Sequence, residues 1–445
     1  MSRNFGWLAV VRLGLVQACL GAVVVMTTST LNRVMVVELA LPALLPGFLV
    51  AMHYLVQFVR PRMGFGSDLG QRRTPWIVGG MLVLCAGGVL AAVATAWMGS
   101  ELTFGIALAV LAFALIGVGV SASGTSLLVL LAKRVEPPRR ATAATVVWLM
   151  MIAGFALTAG VAGKLLDPYS PLRLITVTAG VSVLAMLLTL LATHRLEGPA
   201  EPAMPAAPAA PKPTFREAIA QVWDEPVARR FTVFVFVSML AYSAQDLILE
   251  PFAGTVFGFT PGQSTSLSGV QHGGVLLGML AATLAGRGAD GRRFGSLRAW
   301  QIGGCLLSAL MLLGLAAAGS VGPAWPFRAN VFALGVANGA FSIAAIASMM
   351  RLASVGRQAR EGTRMGLWGA AQAVAFGLGG LVGTAASDLA RWLIGTPGAA
   401  YAAVFAFEAL LFVASAALAS QLSRASVTVP RARAAEPVLA GMESR

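Results

Sequence analysis

Runs of mostly apolar residues recur along the chain, broken by short stretches rich in charge, Pro or Gly. A helix needs about 20 predominantly apolar residues to cross a bilayer. Twelve runs approach or meet that length, at residues 8–30, 42–59, 75–97, 102–131, 143–163, 172–193, 231–249, 267–285, 299–318, 327–350, 366–386 and 401–420. The pattern predicts an all-α polytopic membrane protein of twelve transmembrane helices.

The break after the sixth run is unlike the others. Residues 198–213 are dominated by Pro and Ala and cannot pack a core. Thr214 and Glu217 then have the spacing of a capping box, with Phe215, Ile219, Val222 and Trp223 giving a short helix one apolar side, expected along the membrane surface. The expected organisation is a six-helix half at 1–197, a linker at 198–230, a second six-helix half at 231–423 and a tail at 424–445.

Composition agrees with the pattern: 57% of the 445 residues are hydrophobic and 11% charged, against about 25% charged in a soluble domain. A net charge of +14 would suggest nucleic acid in a soluble protein, but the charges sort by side. With a cytoplasmic N-terminus, 26 of the 32 Lys and Arg fall on the cytoplasmic side and 5 on the other, while Arg12 lies in the first span. Both termini are therefore expected in the cytoplasm, with lipid rather than nucleic acid as the basic surface's neighbour. No small-residue cleavage site follows a short apolar core, so no cleaved leader is expected. Cys19, Cys85 and Cys305 lie far apart inside apolar runs and read as buried hydrophobes, without disulfide or metal spacing.

The halves share a motif. "GFGSD" at 64–68 and "GRGAD" at 286–290 both follow the second span of their half, and both precede an Arg pair, Arg72 and Arg73 or Arg292 and Arg293. Gly64 and Gly286 allow a tight turn, Asp68 and Asp290 can cap a helix or meet an Arg, and the Arg pairs hold the loops in the cytoplasm. No strand precedes the glycines and no Lys-Ser/Thr follows them, which argues against a nucleotide cradle. Over nearly its whole length the chain resembles the major facilitator superfamily, whose loop motif maps to Asp68 with Arg72 and Arg73 and to Asp290 with Arg292 and Arg293. It departs at Leu69 and Gly291, where a basic residue is usual.

Longer strings, "TLNRVMVVEL" (30–39), "RRTPWI" (72–77), "SPLRLI" (170–175) and "AYSAQDLILEPFAGTVFG" (241–258), resemble the PucC/LhaA-like bacteriochlorophyll-delivery branch of that superfamily. The start, "GWLAVVRLGLVQ", is similar to its shorter members, associated with pigment biosynthesis. The resemblance implies two pseudo-symmetric halves, an intracytoplasmic (inner) membrane location, and bacteriochlorophyll or a late precursor as bound cargo. It also implies bacteriochlorophyll synthase and light-harvesting subunits as partners.

Ionisable groups inside a span cost several kcal/mol unless paired or hydrated, so each is a functional candidate. Arg33 and Glu38 follow the first run, and Asp246 and Glu250 close the seventh. Arg33 is expected to pair with Asp246 or Glu250 across the halves as a periplasmic gate, the alternative being that all four are solvated helix ends. His53 and His272 recur in the second span of each half. A neutral imidazole can ligate the magnesium of a chlorin, although a lone His is more often structural. His194 reads as interfacial. Glu408, inside "YAAVFAFEALLF", is either a proton-coupling site or a hydrogen-bonded packing residue. Trp148, Trp300, Trp325, Trp368 and Phe376 can stack on a macrocycle but also suit ordinary packing, and Gly377, Gly379, Gly380 and Gly383 suit close helix contact.

No catalytic or metal constellation is visible, so no enzyme is expected. The expected function is binding and delivery of bacteriochlorophyll for light-harvesting and reaction-centre assembly. A proton-coupled transporter of another small apolar molecule and a non-catalytic partner of pigment-synthesis enzymes are the alternatives.

Overall fold

The computed structural model describes residues 5–57, 72–136, 139–197, 223–287, 295–355 and 361–426. These form twelve long helices and no strand among the described residues. They are α1 Trp7–Glu38, α2 Leu44–Val56, α3 Thr74–Trp97, α4 Leu102–Arg134, α5 Arg140–Leu166, α6 Pro171–Thr193, α7 Pro226–Phe257, α8 Pro261–Arg287, α9 Leu297–Val321, α10 Phe327–Val355, α11 Glu361–Ile394 and α12 Pro397–Ser426. Eleven are long and apolar enough to cross a membrane; the shorter α2 ends where the described residues end. Together they make the expected twelve-helix, two-half facilitator fold.

The helix starts follow local rules. Ser170 accepts a bond from the Arg173 N–H at 3.1 Å ahead of Pro171, and Ser296 does the same for Ala299 at 3.1 Å. Gly258, at φ 68°, ends α7 in the left-handed conformation that a side chain would resist. At the start of α3, the Glu197 carboxylate accepts from the Arg73 N–H at 2.8 Å and from the Thr74 N–H at 2.6 Å. The expected capping residue, Asp68, lies outside the described residues, as do Gly64, Asp290, Arg292, Arg293 and the helix expected from Thr214 apart from Trp223. Gly286 falls in the last turn of α8, and Arg72 is exposed just before α3.

Several helices run past the expected bounds, and in two of them the extension moves charge. α1 and α7 each run 32 residues, well past the ~30 Å core that about 20 residues span. The charges expected at their ends are thereby carried inside the bundle. Within α1, Met26–Leu31 and Val34–Glu38 are wound as π-helix, a geometry often found at functional sites.

The Phe5 N–H donates to the Arg134 carbonyl, and Arg12 reaches the Ala192 and His194 carbonyls, so the ends of α4 and α6 lie beside the start of α1. We call this the near face and the other the far face. One buried apolar core gathers residues of α1–α6 with Leu247 of α7, and a second those of α7 and α9–α12 with Leu267 of α8. A smaller third core joins Ile152 of α5 to Val275 and Met279 of α8 and Ile343 of α10. Where α5 crosses α8, a Cβ on Gly163 would stand 2.6 Å from the Gly262 carbonyl, so the halves approach to backbone contact.

Candidate functional site

The candidate site is the interface between the halves. At its far end the halves are tied by hydrogen bonds. Asn32 Nδ2 donates to the Leu247 carbonyl at 2.6 Å, Thr30 and Thr265 hydroxyls meet at 3.0 Å, and the Ser29 hydroxyl bonds Glu250. Asp388 of α11 accepts from the N–H groups of Ala43 at 3.0 Å and Leu44 at 2.8 Å, at the start of α2. Asp167, after α5, accepts from the Thr260 hydroxyl at 3.0 Å, at the start of α8. Asn32, Thr30 and Ser29 lie in or next to the π-wound part of α1, and the register of that winding brings them to α7 and α8.

Arg33 is 2% exposed, which excludes a solvated helix end. Its ion-pair partner is Glu38, at 2.5 Å, rather than Asp246 or Glu250. The guanidinium also donates to the Phe259 carbonyl at 2.5 Å and packs over Gly254, so it does bridge the halves, through backbone. The π-turn at Val34–Glu38 explains the choice of partner, because it returns Glu38 to the guanidinium from the same helix. Glu250 is equally buried, one turn from Gly254, and among the described residues neither its Oε2 nor Arg33 Nε has a hydrogen-bond partner. Arg33, Glu38, Asp167, Tyr169 and Phe259 line a cavity of about 700 Å³ at the far face.

Midway along the bundle the lining is aromatic and polar. Tyr54 of α2 lies 5.5 Å from Phe376 of α11, which lies 5.9 Å from Tyr242 of α7, so a row of rings crosses from one half to the other. One turn along from Tyr242, Asp246 accepts from Gln271 Nε2 at 3.2 Å. Glu408 is 1% exposed, and among the described residues neither of its carboxyl oxygens has a hydrogen-bond partner.

The two histidines prove unlike. His53 is buried beside Tyr54, ring centroids 4.7 Å apart, with its Nε2 3.0 Å from Gln57 Nε2. The Nδ1 of His272 donates to the Ser268 carbonyl at 2.8 Å, and its ring meets the Phe155 ring of α5 edge-on at 5.0 Å. His194 follows α6 at the near face.

Of the other aromatic candidates, Trp368 is fully buried against Phe231 in the second core, and Phe376 belongs to the ring row. Gly379 and Gly383 seat α11 against the backbone of α7, at Leu240 and Ala244. Sequence reasoning missed Ser29, Asn32, Asp167, Gln271 and Asp388. Asp388 sat unremarked beyond the eleventh run, and the π-turn that aligns Ser29 and Asn32 leaves no periodic signature.

Comparison with known proteins agrees with this architecture. The sequence model of the family described as "PUCC protein" matches residues 30–427. The chain is 51% identical over 435 residues to the "Bacteriochlorophyll synthase 44.5 kDa chain" of Rhodobacter capsulatus, covering 97% of this chain and 100% of that one. It is 31% identical to "Protein PucC" of the same organism, covering 92% of this chain and 91% of that one. Among solved structures, the peptide transporter POT superposes with a TM-score of 0.67 at 13% identity, covering 95% of this chain and 97% of that one. The nucleoside transporter NupG superposes with 0.66 at 13% identity, covering 93% and 99%. The transporters establish the fold alone, whereas the sequence matches establish the lineage: the chain belongs to the PucC family.

Proposed function

We propose that this protein binds bacteriochlorophyll or a late precursor between its two halves and delivers it for assembly of light-harvesting and reaction-centre complexes. The observation that carries this reading is the row Tyr54, Phe376 and Tyr242 at mid-depth, with His53 and Asp246 beside it. Rings flanked by a few polar groups suit a flat, largely apolar macrocycle with polar substituents. The far-face bonds close one end, leaving the near face as the route of entry. Read as the cytoplasmic side, which the distribution of Lys and Arg along the sequence favours, the near face is where the pigment would be received from its synthesis enzymes. In this reading the chain is a membrane partner of such an enzyme rather than the catalyst, and the name of the relative, a bacteriochlorophyll synthase chain, fits a place beside that enzyme.

The test is whether protein extracted gently from a photosynthetic membrane is green, with the bound pigment identified after extraction. A colourless, partner-free preparation that moves a colourless solute into vesicles would overturn the reading.

Glu408 supports a second reading. A carboxyl group sealed in an apolar wall is a site at which a proton-coupled transporter of a small apolar molecule would carry its proton. If Glu408→Gln leaves transport and its pH dependence intact, coupling through this residue is excluded.

A further inference from the structure

The pigment-handling reading leaves open what the protein recognises in its cargo. The two histidines stand at comparable places in the two halves, and their hydrogen bonds give them different chemistry.

In His272, Nδ1 lies 2.8 Å from the carbonyl oxygen of Ser268, one turn earlier in α8. A carbonyl only accepts, so Nδ1 carries the proton, and in the neutral ring Nε2 holds the lone pair. Among the described residues no donor meets Nε2, and it is not among the sealed, unpartnered atoms of the interior. A buried structural histidine ordinarily satisfies both nitrogens; here one is fixed and the other is left open. A backbone carbonyl holding one nitrogen so that the other faces a metal is the arrangement that orients imidazole ligands and raises their basicity. His53 differs. Its Nε2 lies 3.0 Å from the Gln57 amide nitrogen, which occupies that lone pair.

His272 lies at the seam between the halves, beside aromatic and apolar side chains. The Phe155 ring, from the other half, stands edge-on at 5.0 Å, and Met151 and Leu276 border the same small core between α5 and α8. A magnesium ion held by four pyrrole nitrogens in a plane keeps an axial position for one lone-pair donor. A metal-free macrocycle has inner N–H groups there and no such vacancy.

The geometry points to His272 Nε2 as the axial ligand to the magnesium of the tetrapyrrole, so that the protein selects metal-loaded cargo over the metal-free macrocycle. The inference rests on the pigment-handling reading and adds the group by which the pigment is recognised. His53 is a wall residue beside the ring row and takes no part in ligation.

The experiment titrates the full chain, purified in detergent, with bacteriochlorophyll and separately with its magnesium-free derivative, reading affinity by quenching of pigment fluorescence and axial ligation by the visible absorption bands. The wild type should prefer the magnesium form by about tenfold or more. His272→Ala should bind both forms alike and lose the ligation shift, with added imidazole restoring it. His53→Ala, which removes a wall residue, should weaken both forms alike while keeping the preference and the shift. His272→Gln tests a polar side chain of similar size that lacks the imidazole nitrogen, and it should behave as His272→Ala does. Equal affinity of the wild type for the two macrocycles, or an unchanged preference in His272→Ala, overturns the inference while sparing the pigment-handling reading. Failure to bind either macrocycle removes both.

Discussion

Asp167, just past the end of α5, and Asp388, in the last two turns of α11, each reach a helix start in the other half at the far face. Asp388 accepts two backbone N–H groups at the start of α2, while Asp167 accepts the Thr260 hydroxyl and packs against Gly262 at the start of α8. A carboxylate there satisfies orphan donors and complements the positive end of the helix dipole. The pair fastens the halves across the far face.

Each fastening is expected to contribute about 1 kcal/mol to far-face closure, by analogy with helix caps. The sites are far apart in the fold, so Asp167→Asn with Asp388→Asn should cost about 2 kcal/mol and raise the open fraction about 30-fold. Spin labels at Ser100 and Pro323, in far-face loops of the two halves, would report the separation. An unchanged distance distribution in the double variant contradicts the fastening.

Arg33 and Glu38 form a pair in which one side is sealed and the other is about one-third exposed, 2% against 33%. Removing Glu38 strands a buried guanidinium that still has the Phe259 carbonyl, so Glu38→Met should destabilise by about 2 kcal/mol. Arg33→Met leaves Glu38 able to turn to water and should cost less. The double variant should be more stable than Glu38→Met alone, because the uncompensated charge is gone. Thermal unfolding in detergent measures all three, and strict additivity of the two single changes would count against the pair.

The legible part of this protein was what repeats. Runs of apolar residues gave the spans, and the asymmetry of Arg and Lys gave the expected sidedness, because lipid demands both. Where a span stops was harder to read. Arg33 and Glu250 look like membrane exits in the sequence, yet α1 and α7 continue beyond them, since partners from elsewhere in the bundle remove the need for water. The expected Arg33 partners were wrong for the same reason: a π-turn, invisible in apolar periodicity, returns Glu38 to the guanidinium. Nor did sequence position separate His53 from His272. That difference is made by which neighbour each ring nitrogen meets.

Tyr169, in the loop between α5 and α6, lines the far-face cavity with Arg33 and Glu38. Burial raises its phenol above the usual value of 10.0; Glu38 adds to the rise and Arg33 opposes it. A group whose pKa is raised on folding contributes stability that is fully present below its unfolded value and lost as pH climbs through the folded one. Stability should therefore fall with pH in the alkaline window above about 10, and Tyr169→Phe should lessen the fall. In Glu38→Gln the phenolate absorbance should appear at lower pH. A Tyr169 titration indifferent to Glu38 would show that the cavity wall is not electrostatically shared.

Gly379 decides how closely α11 approaches α7. A Cβ there would stand 2.5 Å from the Leu240 carbonyl oxygen, a backbone atom that cannot rotate aside, so even Ala forces the helices apart. Overpacking of this kind costs about 1–3 kcal/mol. At Gly303, exposed on α9 with nothing within 4 Å of an added Cβ, Ala should be neutral or stabilise by up to about 1 kcal/mol through helix propensity. The consequence for function follows from the rings: Phe376 lies one turn before Gly379 and touches Tyr242 on α7 at 5.9 Å, so parting the helices opens the ring row. Gly379→Ala should therefore weaken pigment binding as well as stability, while Gly303→Ala should leave binding intact. Thermal unfolding and pigment titration on the two variants separate these effects, and a Gly379→Ala protein that binds pigment as tightly as the wild type would remove the ring row from the site.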